Sequence, residues 1–157
     1  MKRRPVSRAL DEAEQPAGGV LFRYIETSGL VAALLDEDRN ARLAIMGEGL
    51  RFASALTFAE AARALLKARL DGRLTVDEER ALLRRLRRFE RSCEIADISE
   101  SVLARAARPF AVEPVRTLDA IHLATVEQLG ETPQFVAVVS RDRRVRENAL
   151  AMGYAVE

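Results

Sequence analysis

Four carboxylates, Glu26, Glu60, Asp119 and Asp142, stand where an acid can do chemistry. Each also has an ordinary explanation. Asp119 complements the positive end of a helix dipole behind a Thr117 cap, a contribution of ~0.3–1 kcal/mol. Thr57-Phe58-Ala59-Glu60 has the T-x-x-E spacing of a capping box, which would occupy Glu60. Asp142 suits another helix dipole, and Glu26 suits the exposed end of a strand. Taken together, the four admit a second reading. Carboxylates gathered at one point repel one another unless a cation lies between them. Hard oxygen ligands of that kind suit Mg²⁺ or Mn²⁺. The lone histidine, His122, lies one turn into an apolar helix, where a packed or supporting ring fits better than a catalyst. The lone cysteine, Cys93, reads as a buried structural thiol.

The elements that carry these residues decide which of them can meet. Residues 20–25 are rich in β-branched and aromatic side chains and predict a buried strand running into Glu26. Thr27 or Ser28 is placed to cap a helix over 30–37, and a second helix is predicted over 40–48. A strand over 50–54 leads to a helix over 57–70, which Asp71-Gly72 breaks. A helix over 76–89 and a strand over 93–96 follow, then a helix over 100–108 that Pro109 stops. The helix over 117–129 is apolar nearly all round and therefore central. Residues 134–139 are the clearest strand. Ser140 is placed to cap a last helix over 142–152, before a short strand over 154–156.

Strands alternating with helices imply a mostly parallel sheet covered on both faces. In such a sheet the strand-to-helix turns emerge at one edge, where ligands bind. Topology alone thus brings Glu26, Glu60 and Asp142 to a common edge. Asp119 follows no predicted strand, so topology does not place it.

Composition narrows the classes. A chain of 157 residues suits one domain with a real core. One cysteine excludes both a disulfide framework and a cysteine-built zinc site within the chain. A net charge of +1 creates no global field for nucleic acid. All basic residues but Lys2 and Lys67 are arginine, and compositional bias explains that most simply. An RNA surface must therefore rest on where arginines cluster. Arg141, Arg143 and Arg144 flank Asp142 and are candidates to hold RNA phosphates beside it, with a solvated helix face as the alternative. No apolar run approaches the ~18 residues of a membrane span. No apolar stretch follows Met1-Lys2-Arg3-Arg4 before Asp11, so no signal peptide is expected. Residues 1–19 are polar and are expected to form a mobile extension outside the core, leaving 20–157 as the domain.

Tyr24-Ile25-Glu26-Thr27-Ser28, Ser54-Ala55-Leu56-Thr57-Phe58-Ala59-Glu60, Arg116-Thr117-Leu118-Asp119-Ala120-Ile121-His122-Leu123-Ala124 and Val139-Ser140-Arg141-Asp142 resemble, in order, the four motifs of PIN domains. The nearest resemblance is to the toxins of VapBC toxin–antitoxin pairs. It covers residues 21–157, and its third motif is the most specific. The resemblance implies a PIN-like α/β/α sandwich with a central parallel five-stranded sheet. It also implies a metal-dependent endoribonuclease, the toxin of a type II toxin–antitoxin pair. Mg²⁺ or Mn²⁺ would be held by Glu26, Glu60, Asp119 and Asp142, the catalytic acids. Thr27, Ser28 and Ser140 would orient those acids through hydrogen bonds. The implied partners are an RNA substrate, a small cognate antitoxin and a second copy of the chain, in the cytoplasm and away from membranes.

One residue departs from the pattern: the family carries Asp where this chain has Glu26. The added methylene carries the carboxylate further out, and catalytic constellations tolerate little displacement. The alternative is therefore a catalytically weakened PIN-fold module that binds antitoxin or RNA without efficient cleavage.

Overall fold

A five-stranded sheet, parallel throughout, separates two layers of helices. The computed structural model describes residues 20–157, so the extension expected over 1–19 lies outside the described residues. The chain runs through β1 (Phe22–Ile25), α1 (Thr27–Leu34), α2 (Arg39–Met46), β2 (Leu50–Ser54), α3 (Ala55–Leu70) and α4 (Val76–Glu90). It continues through β3 (Glu94–Ala96), α5 (Glu100–Ala106), α6 (Thr117–Gln128), β4 (Val136–Val139), α7 (Arg143–Ala151) and β5 (Ala155–Val156). Among the described residues no helix is long and apolar enough to cross a membrane.

The strand order is β3-β2-β1-β4-β5. The chain builds outward from β1 on one side, then crosses to the other side for β4 and β5. The connections therefore reverse between β1 and β4, where open parallel sheets bind ligands beyond their carboxyl edge. Alternation along the strands feeds both layers. Phe22, Tyr24, Phe52, Val136 and Val138 join the apolar cluster that includes Leu123 and Val126 of α6. Ile25, Ala53 and Val139 join Leu30 of α1 and Leu65 of α3 on the other face. The expected parallel α/β/α architecture is the observed one.

The helix starts differ from the expected ones. α1 begins at Thr27, and Glu26 itself is its N-cap, accepting from the Ser28 N–H at 3.0 Å. α3 begins at Ala55 behind Ser54, which caps Leu56. Thr57 is therefore inside the helix, where its hydroxyl donates to the Ile25 carbonyl at 3.3 Å, and it forms no capping box with Glu60. A capping box does occur at Thr75 and Glu78, ahead of α4. α6 has Arg116 at its N-cap with no side-chain cap bond, so Thr117 does not cap it. Asp142, not Ser140, caps α7. Leu118 is 45% exposed, whereas Ala120 to Val126 are buried without interruption. The first turn of α6 thus projects beyond the core while the rest is enclosed.

Candidate active site

Glu26 follows β1 directly, and its N–H donates to the Val139 carbonyl at the end of β4 at 3.0 Å. Its side chain is 6% exposed. One oxygen, Oε2, accepts from the Ser28 N–H, from the Ser28 hydroxyl and from the Ser140 hydroxyl at 2.7 Å. The other, Oε1, stands 4.0 Å from His122 Nε2. Gly29 permits this closeness: a Cβ there would lie 2.8 Å from the Val139 carbonyl oxygen, against fixed backbone.

Ser28 links the turn after β1 to the turn after β4. Its hydroxyl accepts from the N–H groups of Arg141 at 2.7 Å and Asp142 at 2.9 Å, so its own proton is directed to Glu26. Ser140 accepts from the same Asp142 N–H at 3.1 Å and donates to Glu26. Neither serine caps a helix; both secure a carboxylate. Ser28→Ala would leave the Arg141 N–H without an acceptor and the Asp142 N–H with Ser140 alone. It should lower stability by about 1–3 kcal/mol, read as a lower urea midpoint with an unchanged slope.

Glu60 lies in the second turn of α3. Its Oε1 accepts from the Thr27 hydroxyl at 2.7 Å and stands 2.8 Å from His122 Nε2. Partial burial works against its charge, but the bonds to His122 and Thr27 outweigh it and hold the carboxyl below its ordinary pKa. Glu60 is therefore an ionised acceptor with one side turned to solvent.

Asp119 occupies the first turn of α6, and the packing of that helix delivers it to the same edge. Burial, then the charges of Asp142 and Glu26, push its carboxyl above the usual range. Its Oδ2 is buried and has no hydrogen-bond partner. Asp142 accepts through Oδ1 from the N–H groups of Arg144 at 2.8 Å and Val145 at 3.3 Å. All four acids thus face one another's fields or share hydrogen-bonding neighbours, although they come from four separate parts of the chain.

The arginines divide. Arg141 is not a free phosphate anchor: its guanidinium pairs with Asp38 at 2.5 Å and donates to the Ser140 and Glu157 main-chain oxygens. The bond to Arg141 holds Asp38 down at about 2. Arg143 makes an exposed pair with Glu147 at 2.8 Å, one turn along α7, which is weak enough to exchange for a phosphate. Arg144 has no ion pair among the described residues. Cys93 is half-buried, and burial pushes its thiol up to about 12, as befits an unreactive structural cysteine. Sequence reasoning misses Tyr24: it reads as a core strand residue, yet its hydroxyl lies 2.8 Å from His122 Nδ1.

Among the described residues, no three His, Cys, Asp or Glu side chains are close enough to form a ready-made ion cage. The donor chemistry nonetheless fits a hard divalent cation. The Asp119 oxygen without a partner and the mutual repulsion of Asp119, Asp142 and Glu26 are both relieved by positive charge at this edge.

Comparison with known proteins agrees with this geometry. Residues 23–150 match the PIN domain family. Ribonuclease VapC35 of Mycobacterium tuberculosis is 34% identical over 137 residues, covering 85% of this chain and 93% of that protein. The structure of Mycobacterium tuberculosis VapC20, a sarcin–ricin loop cleaving toxin, superposes with a TM-score of 0.60 at 15% identity, covering 85% of this chain and 96% of that one. A toxin–antitoxin complex from Klebsiella pneumoniae contains a chain with a TM-score of 0.53 at 17% identity, covering 79% and 89%. The match across most of the length, on a five-stranded parallel sheet with an acidic carboxyl edge, places this chain in the PIN domain family.

Proposed function

We propose that this protein is an endoribonuclease that depends on Mg²⁺ or Mn²⁺ and is the toxin of a type II toxin–antitoxin pair. The observation that carries the reading is the gathering of Glu26, Glu60, Asp119 and Asp142 at one sheet edge, with a buried Asp119 oxygen left without a partner. The 34% identity to a ribonuclease supports the choice of RNA as substrate.

The four acids would hold the cation. A divalent cation in such a site supplies an activated water and offsets charge building on the phosphate. The chain's own residues do the rest. Ser28 and Ser140 fix Glu26, and Thr27 fixes Glu60. Glu60, kept ionised, is placed to orient the attacking water. Arg143 and Arg144, on the first turn after Asp142, are placed to hold flanking phosphates. The longer side chain at position 26 is seated by three hydrogen bonds on Oε2, which favours a working site over a decayed one.

The antitoxin belongs to the same reading. A groove of about 670 Å³ lies between α1, α2 and α4, floored by Leu30, Leu34 and Phe89. Leu43 and Met46 beside it are 57% and 68% exposed, and Arg85 and Arg88 on its rim are without ion pairs among the described residues. An apolar floor with a cationic rim suits an acidic amphipathic segment of a partner. A homodimer in the cytoplasm is the form the family resemblance implies, with the domain beginning near residue 20.

The test is RNA cleavage by the purified protein. Activity should appear with Mg²⁺ or Mn²⁺ and vanish in excess EDTA. Undiminished cleavage in EDTA, with contaminating nuclease excluded, would remove the metal from the mechanism.

A further inference from the structure

Tyr24 is wholly buried in the central strand, where phenylalanine would fill the same space. Its hydroxyl is therefore the feature that needs a reason. It lies 2.8 Å from Nδ1 of His122, a ring 1% exposed and set edge-on to the phenol at 71°. The other ring nitrogen, Nε2, lies 2.8 Å from Glu60 Oε1. Three side chains thus run in series from β1 through α6 to α3 and end on an acid of the candidate site.

Proton accounting gives the series a direction. The Glu60 carboxylate only accepts, so Nε2 must be the donor. The opposite tautomer would set a nitrogen lone pair against the carboxylate at 2.8 Å. In the neutral ring Nδ1 is then a buried acceptor and requires a donor of its own. The phenol supplies it.

We propose that Tyr24 is a positioning residue of the candidate active site, its hydroxyl fixing His122 so that Nε2 presents a proton to Glu60. Its consequence for catalysis rests on the nuclease reading above; the ring arrangement does not. With the hydroxyl gone, Nδ1 is buried without a partner and the ring is free to turn. Glu60 then keeps only Thr27 as a fixed donor.

The chain has a single histidine, so histidine-selective ¹⁵N NMR reports on this ring alone. The parent protein should show Nε2 protonated and Nδ1 unprotonated and hydrogen-bonded. In Tyr24→Phe the Nδ1 resonance should move towards that of a free lone pair. RNA cleavage should lose about tenfold or more in kcat, the usual scale for a partner behind the first ligands, with KM unchanged. A proton on Nδ1 in the parent overturns the proposal, as does an Nδ1 resonance or a kcat that Tyr24→Phe leaves in place. The spectrum is taken without substrate. A parent inert towards RNA would sink the nuclease reading, while the spectrum still decides the ring arrangement.

Discussion

Asp119→Asn is expected to lower RNA cleavage by about a hundredfold or more, beyond the usual cost of losing an outer partner, and to stabilise the metal-free protein at neutral pH. The two effects have one origin. Asp119 sits half-buried with an oxygen that bonds to nothing, facing the charges of Asp142 and Glu26. Its folded-state pKa is raised above the ordinary 3.8, by burial first and by the two acids next. The folded state therefore holds this proton more tightly than the unfolded one. Stability falls as pH climbs from the unfolded pKa through the folded one, and the full penalty persists above that. Asparagine carries no such penalty. The gain in the variant should be present at pH 7 in EDTA and should shrink as pH falls towards 3.8. Denaturant titrations at both ends of that range would measure it. Added Mn²⁺ should raise the Tm of the parent more than that of the variant, because binding to the folded state alone is stabilising. An Asn variant equal to the parent in cleavage and in stability would take Asp119 out of the site.

The second large effect is expected at Glu26. Glu26→Gln should remove nearly all cleavage while leaving the fold intact. An amide oxygen can still accept from the Ser28 N–H and the Ser140 hydroxyl. The place of Oε1, 4.0 Å from His122 Nε2, would pass to an uncharged NH₂ that repels a cation's coordination. Glu26→Asp should change activity only modestly. The shorter carboxylate can still cap α1, but it cannot satisfy both serines from the same distance. Cleavage by the parent, Asp and Gln variants, assayed side by side with Mn²⁺, separates the possibilities. If an inert parent is rescued by Glu26→Asp, the site has decayed at this one position. A Gln variant as active as the parent would exclude the residue altogether.

Much of the fold and part of the site are legible in the amino-acid sequence. Short β-branched and apolar runs mark the strands, because each must bury both faces under helices. The parallel arrangement follows from the helices between them, and it forces the turns after strands to one edge. Glu26 and Asp142 closely follow strands, and Glu60 is one short helix segment further, so connectivity determines their common edge. The choice of RNA chemistry comes from the motif resemblance, whose third segment, around Asp119, is the least generic.

Tertiary structure alone decides the rest. Asp119 reaches the site because the enclosed stretch from Ala120 to Val126 seats α6 against the sheet, not because a strand leads to it. Ser28 and Ser140 read from the sequence either as helix caps or as partners of the acids; packing makes both serve Glu26, and Asp142 takes the cap expected of Ser140. Arg141 reads as a phosphate anchor, but Asp38, 103 residues earlier in the chain, claims its guanidinium. Tyr24 reads as core, but His122, 98 positions away, stands beside its hydroxyl. The reason is common to all of these. Local spacing shows which donors and acceptors are available, but each hydroxyl, carboxylate or guanidinium has several possible partners. Only the packing of distant elements determines which of them comes within hydrogen-bonding distance.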